Sequence, residues 1–244
     1  MSSLKYESLI YHKDIVENRD NLNSEAGKVL DWIESIETKK NALEIGCHTG
    51  YLTYWINKIF SDVTIVEINE NAIRHAENFC NESILGNIET EPVKNSISKN
   101  KYDVIVILHV LEHLVDPWET LKFLSSQLTE NGEIIIALPN INNMQTRMQI
   151  MAGHFNYTEE GVMDKTHLRF FNPDTAKSLI ESAGLYVDDY FSPWKVQPAR
   201  EIIKYLPLIK KSNLIVKLIN KIYTFNSQAT DLVMLFKCKR KNEQ

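Results

Sequence analysis

Asn41-Ala42-Leu43-Glu44-Ile45-Gly46-Cys47-His48-Thr49-Gly50 sets the reading of the rest of the chain. An apolar run holding a single carboxylate ends at Gly46, Gly50 follows, and a helical pattern begins at Tyr51 with Leu52, Trp55, Ile56 and Ile59 on one face. This spells strand, tight turn and helix N-terminus. Glycines at the turn let the backbone bend sharply and let a ligand lie against it with no Cβ in the way. In an open parallel sheet, ligands bind beyond the carboxyl ends of such strands. The dinucleotide fingerprint needs glycine at its second and third positions, and here those positions hold His48 and Tyr51. No phosphate-loop lysine followed by Ser or Thr is present either. A glycine turn preceded by a carboxylate suits a nucleoside carrying a cation better than one carrying phosphates.

Working outward, Val29, Trp32, Ile33 and Ile36 predict a helix from Ser24. Ser61–Ile68 is rich in β-branched residues and reads as a second strand ending in Glu67, with Asn69 placed to cap the next helix. Glu67 lies about 20 residues past the glycine turn, where an acid accepts hydrogen bonds from ribose hydroxyls. Ile84–Ile88 reads as a short third strand. Val104–Leu108 is a continuous apolar run of strand length, and Trp118–Leu128 is helical, with Asn131-Gly132 as its stop. Glu133–Leu138 is a fifth strand, closed by Pro139-Asn140. Asn142–Asp164 has no firm pattern. A helix from Pro173 to Ala183 is stopped by Gly184, and Leu185–Phe191 and Thr230–Lys237 are the final strands, read as an antiparallel pair. Strands alternating with helices place the chain in the α/β class.

Leu43–Gly50 resembles the E-x-G-x-x-x-G motif of class I S-adenosylmethionine-dependent methyltransferases. Tyr102–His113 is similar to the Y-D-x-V-x-x-x-x-V-L-E-H segment of the fourth strand in that family. His167-Leu168-Arg169-Phe170-Phe171-Asn172-Pro173 resembles a subgroup frequent among enzymes that modify sugars, lipids and cell-surface glycans. The resemblance covers about residues 30–190. It implies a Rossmann-like, seven-stranded, mostly parallel sheet flanked by helices, with one antiparallel strand. It implies S-adenosyl-L-methionine as cofactor, held by Glu44, Gly46, Cys47, His48, Gly50, Glu67, Ile68, Asn87, Ile88, Leu108 and His109. Asn87 departs from the acid usual at that place, but an amide oxygen still accepts from the adenine amino group.

The reaction implied is O-methylation by in-line displacement, for which alignment is the main requirement. A hydroxyl acceptor needs a base, and imidazole is the natural one. His167 and His113 are the expected catalytic residues, and Arg169 and Asn140 the expected acceptor contacts. Arg169 has Asp164 as an alternative partner. The preferred acceptor is a sugar hydroxyl of a glycan or glycolipid precursor, with a quinone-like phenol or other small molecule as the alternative. A cofactor-binding protein without catalysis is a further alternative. No metal is expected, although His109-Val110-Leu111-Glu112-His113 spells H-x-x-E-H, a zinc-hydrolase signature. That chemistry needs both imidazoles on one helix face, and His109 here follows directly on a strand.

The chain of 244 residues, 43% hydrophobic and 24% charged with a net charge of -5, fits one methyltransferase domain over 1–244. Within it, 1–30 is an N-terminal extension and 192–228 a basic helical insertion. The acidic balance argues against nucleic acid as a partner. Cys47, Cys80 and Cys238 are widely spaced and fit reduced thiols in a cytoplasmic protein. Pro198–Asn226 carries Arg200, Lys204, Lys210, Lys211, Lys217 and Lys221 against Glu201 alone, with an apolar face broken at Pro207. Peripheral membrane contact, a lid and a homodimer contact are the readings open to that segment.

Overall fold

The computed structural model describes residues 24–205, 213–223 and 227–241. Most of the N-terminal extension, and Pro207 with Lys210 and Lys211, lie outside them. The seven strands are β1 (Asn41–Ile45), β2 (Asp62–Glu67), β3 (Glu82–Leu85), β4 (Tyr102–Leu108), β5 (Leu128–Pro139), β6 (Leu185–Phe191) and β7 (Val233–Arg240). They form one sheet in the order β3-β2-β1-β4-β5-β7-β6. The pairs β1/β2 and β2/β3 are parallel, whereas β6 and β7 are antiparallel. Contacts divide the described chain into two compact units, with β4 and β5 running through both. One is formed by the residues up to Val106 with Gln127–Ile134, the other by Ile107–Ser126 with the residues from Ile135 on.

The first unit holds α1 (Ser24–Glu34), α2 (Tyr51–Ile59), α3 (Glu70–Ala76) and α4 (Glu91–Ile97). Val29, Trp32, Ile33 and Ile36 are all buried, as their shared face requires. Asn69 caps α3, its side chain accepting from the N–H groups of Asn71 and Ala72. β3 ends at Leu85, short of the expected Ile88, because Gly86 turns the chain at φ 155° and Asn87 starts an Asx turn. Asp103 explains the Tyr-Asp pair that opens β4: its carboxylate accepts from the N–H groups of Lys40 and Asn41 and from the Thr129 hydroxyl. It thereby fixes where β1 and β5 begin relative to β4. Asn131-Gly132 does not stop a helix; it lies inside the twelve-residue β5. A Cβ at Gly132 would stand 2.7 Å from the Tyr102 carbonyl oxygen, so this glycine is required by a close backbone approach.

The second unit holds α5 (Pro117–Ser126), α6 (Met144–Met151), α7 (Pro173–Ser182), α8 (Pro198–Tyr205), α9 (Asn213–Tyr223) and the short α10 (Ser227–Thr230). Leu121 and Leu124 are buried on α5, but Leu128 already belongs to β5. α6 falls in the stretch where no pattern was legible: its residues are not segregated into two faces, and its start is set by Asn143 accepting from the Thr146 N–H. α7 begins with Pro173 and a reciprocal capping box between Asn172 and Thr175. Met144, Met148 and Ala229 form a small core with Val196, Ile202, Tyr205 and Tyr223 packed against it.

Candidate active site

In the first unit the glycine turn is built by its own neighbours. Gly46, His48 and Gly50 have φ of 76°, 50° and 84°, so one residue of the left-handed set is not glycine. Holding an imidazole-bearing residue there costs roughly 1 kcal/mol. Gly50 is required by packing: a Cβ would stand 2.7 Å from the Ala76 Cα. Glu67 accepts from three backbone N–H groups, of His48 at 2.9 Å through Oε2, and of Ile68 at 2.8 Å and Asn69 at 2.9 Å through Oε1. A carboxylate offers about four acceptor sites, so in this arrangement Oε2 retains room for one ribose hydroxyl. Ile68, next in the chain, is an exposed apolar side chain.

Glu44 is buried and accepts from the Thr53 hydroxyl at 2.6 Å. Burial raises its carboxyl to about 7, the Thr53 bond opposes this, and the charge of Glu67 adds to it. A cation beside the turn would favour the ionised form of this carboxyl. The Cys47 thiol is buried and pushed well up, first by burial and then by Glu44 and Glu67, so it is inert rather than nucleophilic. Burial lowers His48, with Glu67 opposing. Asn87 Oδ1 already accepts from the Glu89 N–H at 2.9 Å, and Ile88 is buried.

In the second unit, a cavity of about 490 Å³ is lined by His109, Glu112, His113 and His167 together with Met163, Trp194 and other residues. His109 follows β4 with φ 54°, another left-handed non-glycine residue. Its Nδ1 lies 3.5 Å from Glu112 Oε1. Leu111–His113 is a single 3-10 turn. It buries Glu112 to 1% exposure, and neither carboxylate oxygen has a hydrogen-bond partner. The main chain ties the two stretches together, since the Glu112 carbonyl accepts from the N–H groups of Leu168 and Arg169. The His113 and His167 rings meet edge to face at 4.7 Å. His113 Nδ1 is 3.2 Å from the Thr166 carbonyl and His167 Nδ1 is 3.1 Å from the Val162 carbonyl. A carbonyl only accepts, so in each ring Nδ1 carries the proton and Nε2 is the basic nitrogen of the neutral form. One ligand atom each of Glu112, His113 and His167 lies within 4.8 Å of the other two, a donor set able to hold a metal ion. It differs from the donor set that the H-x-x-E-H motif spells: His167 takes the place of His109, and Glu112 is itself a donor.

Two expected acceptor contacts have other partners. Arg169 donates to the Val115 carbonyl at 2.5 Å and lies over the Trp118 ring at 5.9 Å, and it does not line the cavity. Asp164 is no partner for it. Burial raises that carboxyl, but the Thr166 hydroxyl and N–H at 2.6 and 2.8 Å, with the histidine charges, bring it below the usual range. Asn140 is fully buried, donating to the Gln228 and Asp231 carbonyls and accepting from the Asn142 N–H. Glu112 as a cavity carboxylate went unrecognised apart from the zinc motif. Its signal was an acid placed between Leu111 and Leu114, both buried.

The strand–turn–helix at Glu44–Gly50, the acid ending β2 and the seven-stranded sheet define a methyltransferase of class I fold, the class whose methyl donor is S-adenosylmethionine. A family model described as a methyltransferase domain matches residues 15–190, and the chain belongs to that family. A ubiquinone biosynthesis O-methyltransferase of Coxiella burnetii is 26% identical over 167 residues, 66% of this chain and 70% of that protein. The corresponding Aeromonas salmonicida protein is 26% identical over 168 residues, with the same coverage. Among solved structures, a SAM-dependent methyltransferase from Archaeoglobus fulgidus superposes with a TM-score of 0.62 at 19% identity, over 97% of this chain and 98% of that one. The magnesium protoporphyrin IX methyltransferase of Synechocystis PCC 6803 with bound SAH gives 0.57 at 12% identity, over 88% and 82%.

Proposed function

We propose that this methyltransferase transfers the methyl group of S-adenosylmethionine to a hydroxyl of a small ring-shaped acceptor, with the acceptor oxygen seated at Glu112, His113 and His167. One observation carries the reading: a carboxylate at 1% exposure, with no hydrogen bond to either oxygen and His109 Nδ1 3.5 Å from one of them, lines a cavity of about 490 Å³ together with His113 and His167. An unsatisfied buried carboxylate is costly, and an acceptor O–H would satisfy it. Nε2 of His167 or His113 would then take the proton as the oxygen attacks the methyl carbon. Glu67 would accept from the donor's ribose, and Glu44 would favour its cationic end.

A phenol, with a pKa near the ~10 of tyrosine, gives up its proton to an imidazole far more readily than an aliphatic alcohol does. An alcohol needs a far stronger push. This favours a quinone-like phenol, and the names of the relatives support the same choice. The glycan reading has one observation in its favour. A second cavity of about 390 Å³ shares Thr146, Gln149, Thr158 and Met163 with the first and adds His154 and Asn156. Hydrogen-bonding side chains of this kind suit sugar hydroxyls.

The test is release of S-adenosylhomocysteine from purified protein with a panel of hydroquinones and phenols against monosaccharides and nucleotide sugars. Turnover with phenols alone supports the first reading, and turnover with sugars alone replaces it by the second. Calorimetric donor binding with no turnover on either set would favour a cofactor-binding protein without catalysis. Parallel assays with a chelator and with added Mg²⁺ or Zn²⁺ decide whether Glu112, His113 and His167 act as an acid–base cluster or hold an ion that binds the acceptor oxygen.

A further inference from the structure

The α9 helix has apolar residues on both of its faces, and a helix packed on one side only has no need of the second set. Val216, Ile219 and Tyr223 are partly buried at helical spacing and form the inward face. Opposite them, Leu214 is 78% exposed, Leu218 55% and Ile215 44%. Leu214 and Leu218 are four apart and stand one above the other, and the exposed Lys217 and Lys221 lie beside them on the same face. No acid interrupts this face, because Asn213–Tyr223 contains none. The neighbouring α8, which packs against α9, carries Glu201 as the segment's single acid. Glu201 is buried at 6% exposure and paired with Lys204 at 2.6 Å, so it adds no negative charge to the surface. A chain of net charge -5 thus presents a leucine pair rimmed by lysines.

We propose that the outer face of α9 docks the protein on an anionic lipid surface, with Leu214 and Leu218 entering the headgroup boundary and Lys217 and Lys221 meeting lipid phosphates. The charge decides between occupants. A second copy of this acidic chain would bring the same lysines face to face, whereas an anionic bilayer meets apolar and basic groups together. Among the described residues no helix is long and apolar enough to cross a membrane, so the contact is peripheral. The inference stands apart from the choice of acceptor, since it rests on α9 alone.

The experiment is co-sedimentation of the full chain with phosphatidylcholine vesicles, with and without 30% phosphatidylglycerol, at low and high salt. Binding to the anionic vesicles that falls with salt is expected. The pair Lys217→Glu and Lys221→Glu should weaken it at least about thirty-fold, the equivalent of ~1 kcal/mol lost for each lysine near such a surface before any repulsion from the new carboxylates. Leu214→Asp with Leu218→Asp should abolish it. These side chains are exposed, so donor binding by calorimetry should be unchanged and reports that each variant is folded. Absence of wild-type binding to anionic vesicles overturns the proposal. So does a leucine variant that still sediments with them, or one that converts a dimer to a monomer in analytical ultracentrifugation while vesicle binding is unaffected.

Discussion

The glycine turn of the first unit and the histidine cluster of the second solve opposite problems. At the turn the polar groups are satisfied by the protein itself: Glu67 holds three backbone N–H groups and Glu44 holds Thr53. These bonds are made within the protein, so the turn is organised before a ligand arrives. At the cluster the Glu112 oxygens have no hydrogen-bond partner, and the two imidazoles beside them come from stretches far apart in sequence. One region has its carboxylates hydrogen-bonded within the protein, and the other leaves a buried carboxylate without a hydrogen bond. This is the division expected of an enzyme that binds one invariant ligand and performs chemistry on another.

The cluster gives the largest expected effect. His167→Ala and Glu112→Gln should each lower turnover by about 10²- to 10⁴-fold, the usual range for a general acid–base group, with donor affinity by calorimetry unchanged. If either variant loses donor affinity as well, the contrast between the two regions fails. At the turn, Gly50→Ala forces a Cβ against the Ala76 backbone at a left-handed φ. Strain and overpacking together should cost about 3 to 4 kcal/mol in urea unfolding, which ligand approach alone would not require.

Glu44→Gln sharpens the comparison through pH. Folding raises this carboxyl from 4.5 to about 7. Its favourable contribution is therefore complete below pH 4.5 and is lost as pH rises through 7. Above that the folded state bears the cost of a buried charge, about 3 kcal/mol, since each tenfold change in an ionisation equilibrium is worth ~1.4 kcal/mol. The amide should make the protein more stable at pH 8 and leave it little changed near pH 4, as thermal denaturation across that range will read. A flat difference would mean that Glu44 is not the titrating group. The smallest effect belongs to the left-handed histidines: His48→Gly and His109→Gly should each relieve about 1 kcal/mol of strain. His109→Gly should reduce turnover despite that gain, because it removes the imidazole beside Glu112.

Much of the turn was legible because its partners are local. An acid, two glycines and a capping Asn stand at fixed offsets, and the chain has little freedom to place them otherwise. Thr53 was missed, although a threonine between Leu52 and Ile56 on an inward face invites the question of what it bonds. The helix at Met144–Met151 and the long β5 through Gly132 were not legible. Neither has the apolar period that marks a helix or strand edge, and Gly132 is explained by the distant Tyr102 carbonyl rather than by its neighbours. Arg169 and Asn140 were sound choices by residue type, yet each is held by carbonyls that no spacing rule reveals.

By itself the sequence determined the α/β class, the strand–turn–helix with its two acids, and His113 and His167 as residues to watch. Those follow from periodicity, backbone permissiveness and side-chain chemistry, which act over a few residues. Tertiary structure alone decided that β7 enters the sheet between β5 and β6, that Glu112 is buried without a hydrogen-bond partner, and that those two imidazoles, with that of His109, stand near it. Burial and through-space proximity depend on how distant segments pack, and a one-dimensional pattern carries no record of which loop returns to which turn.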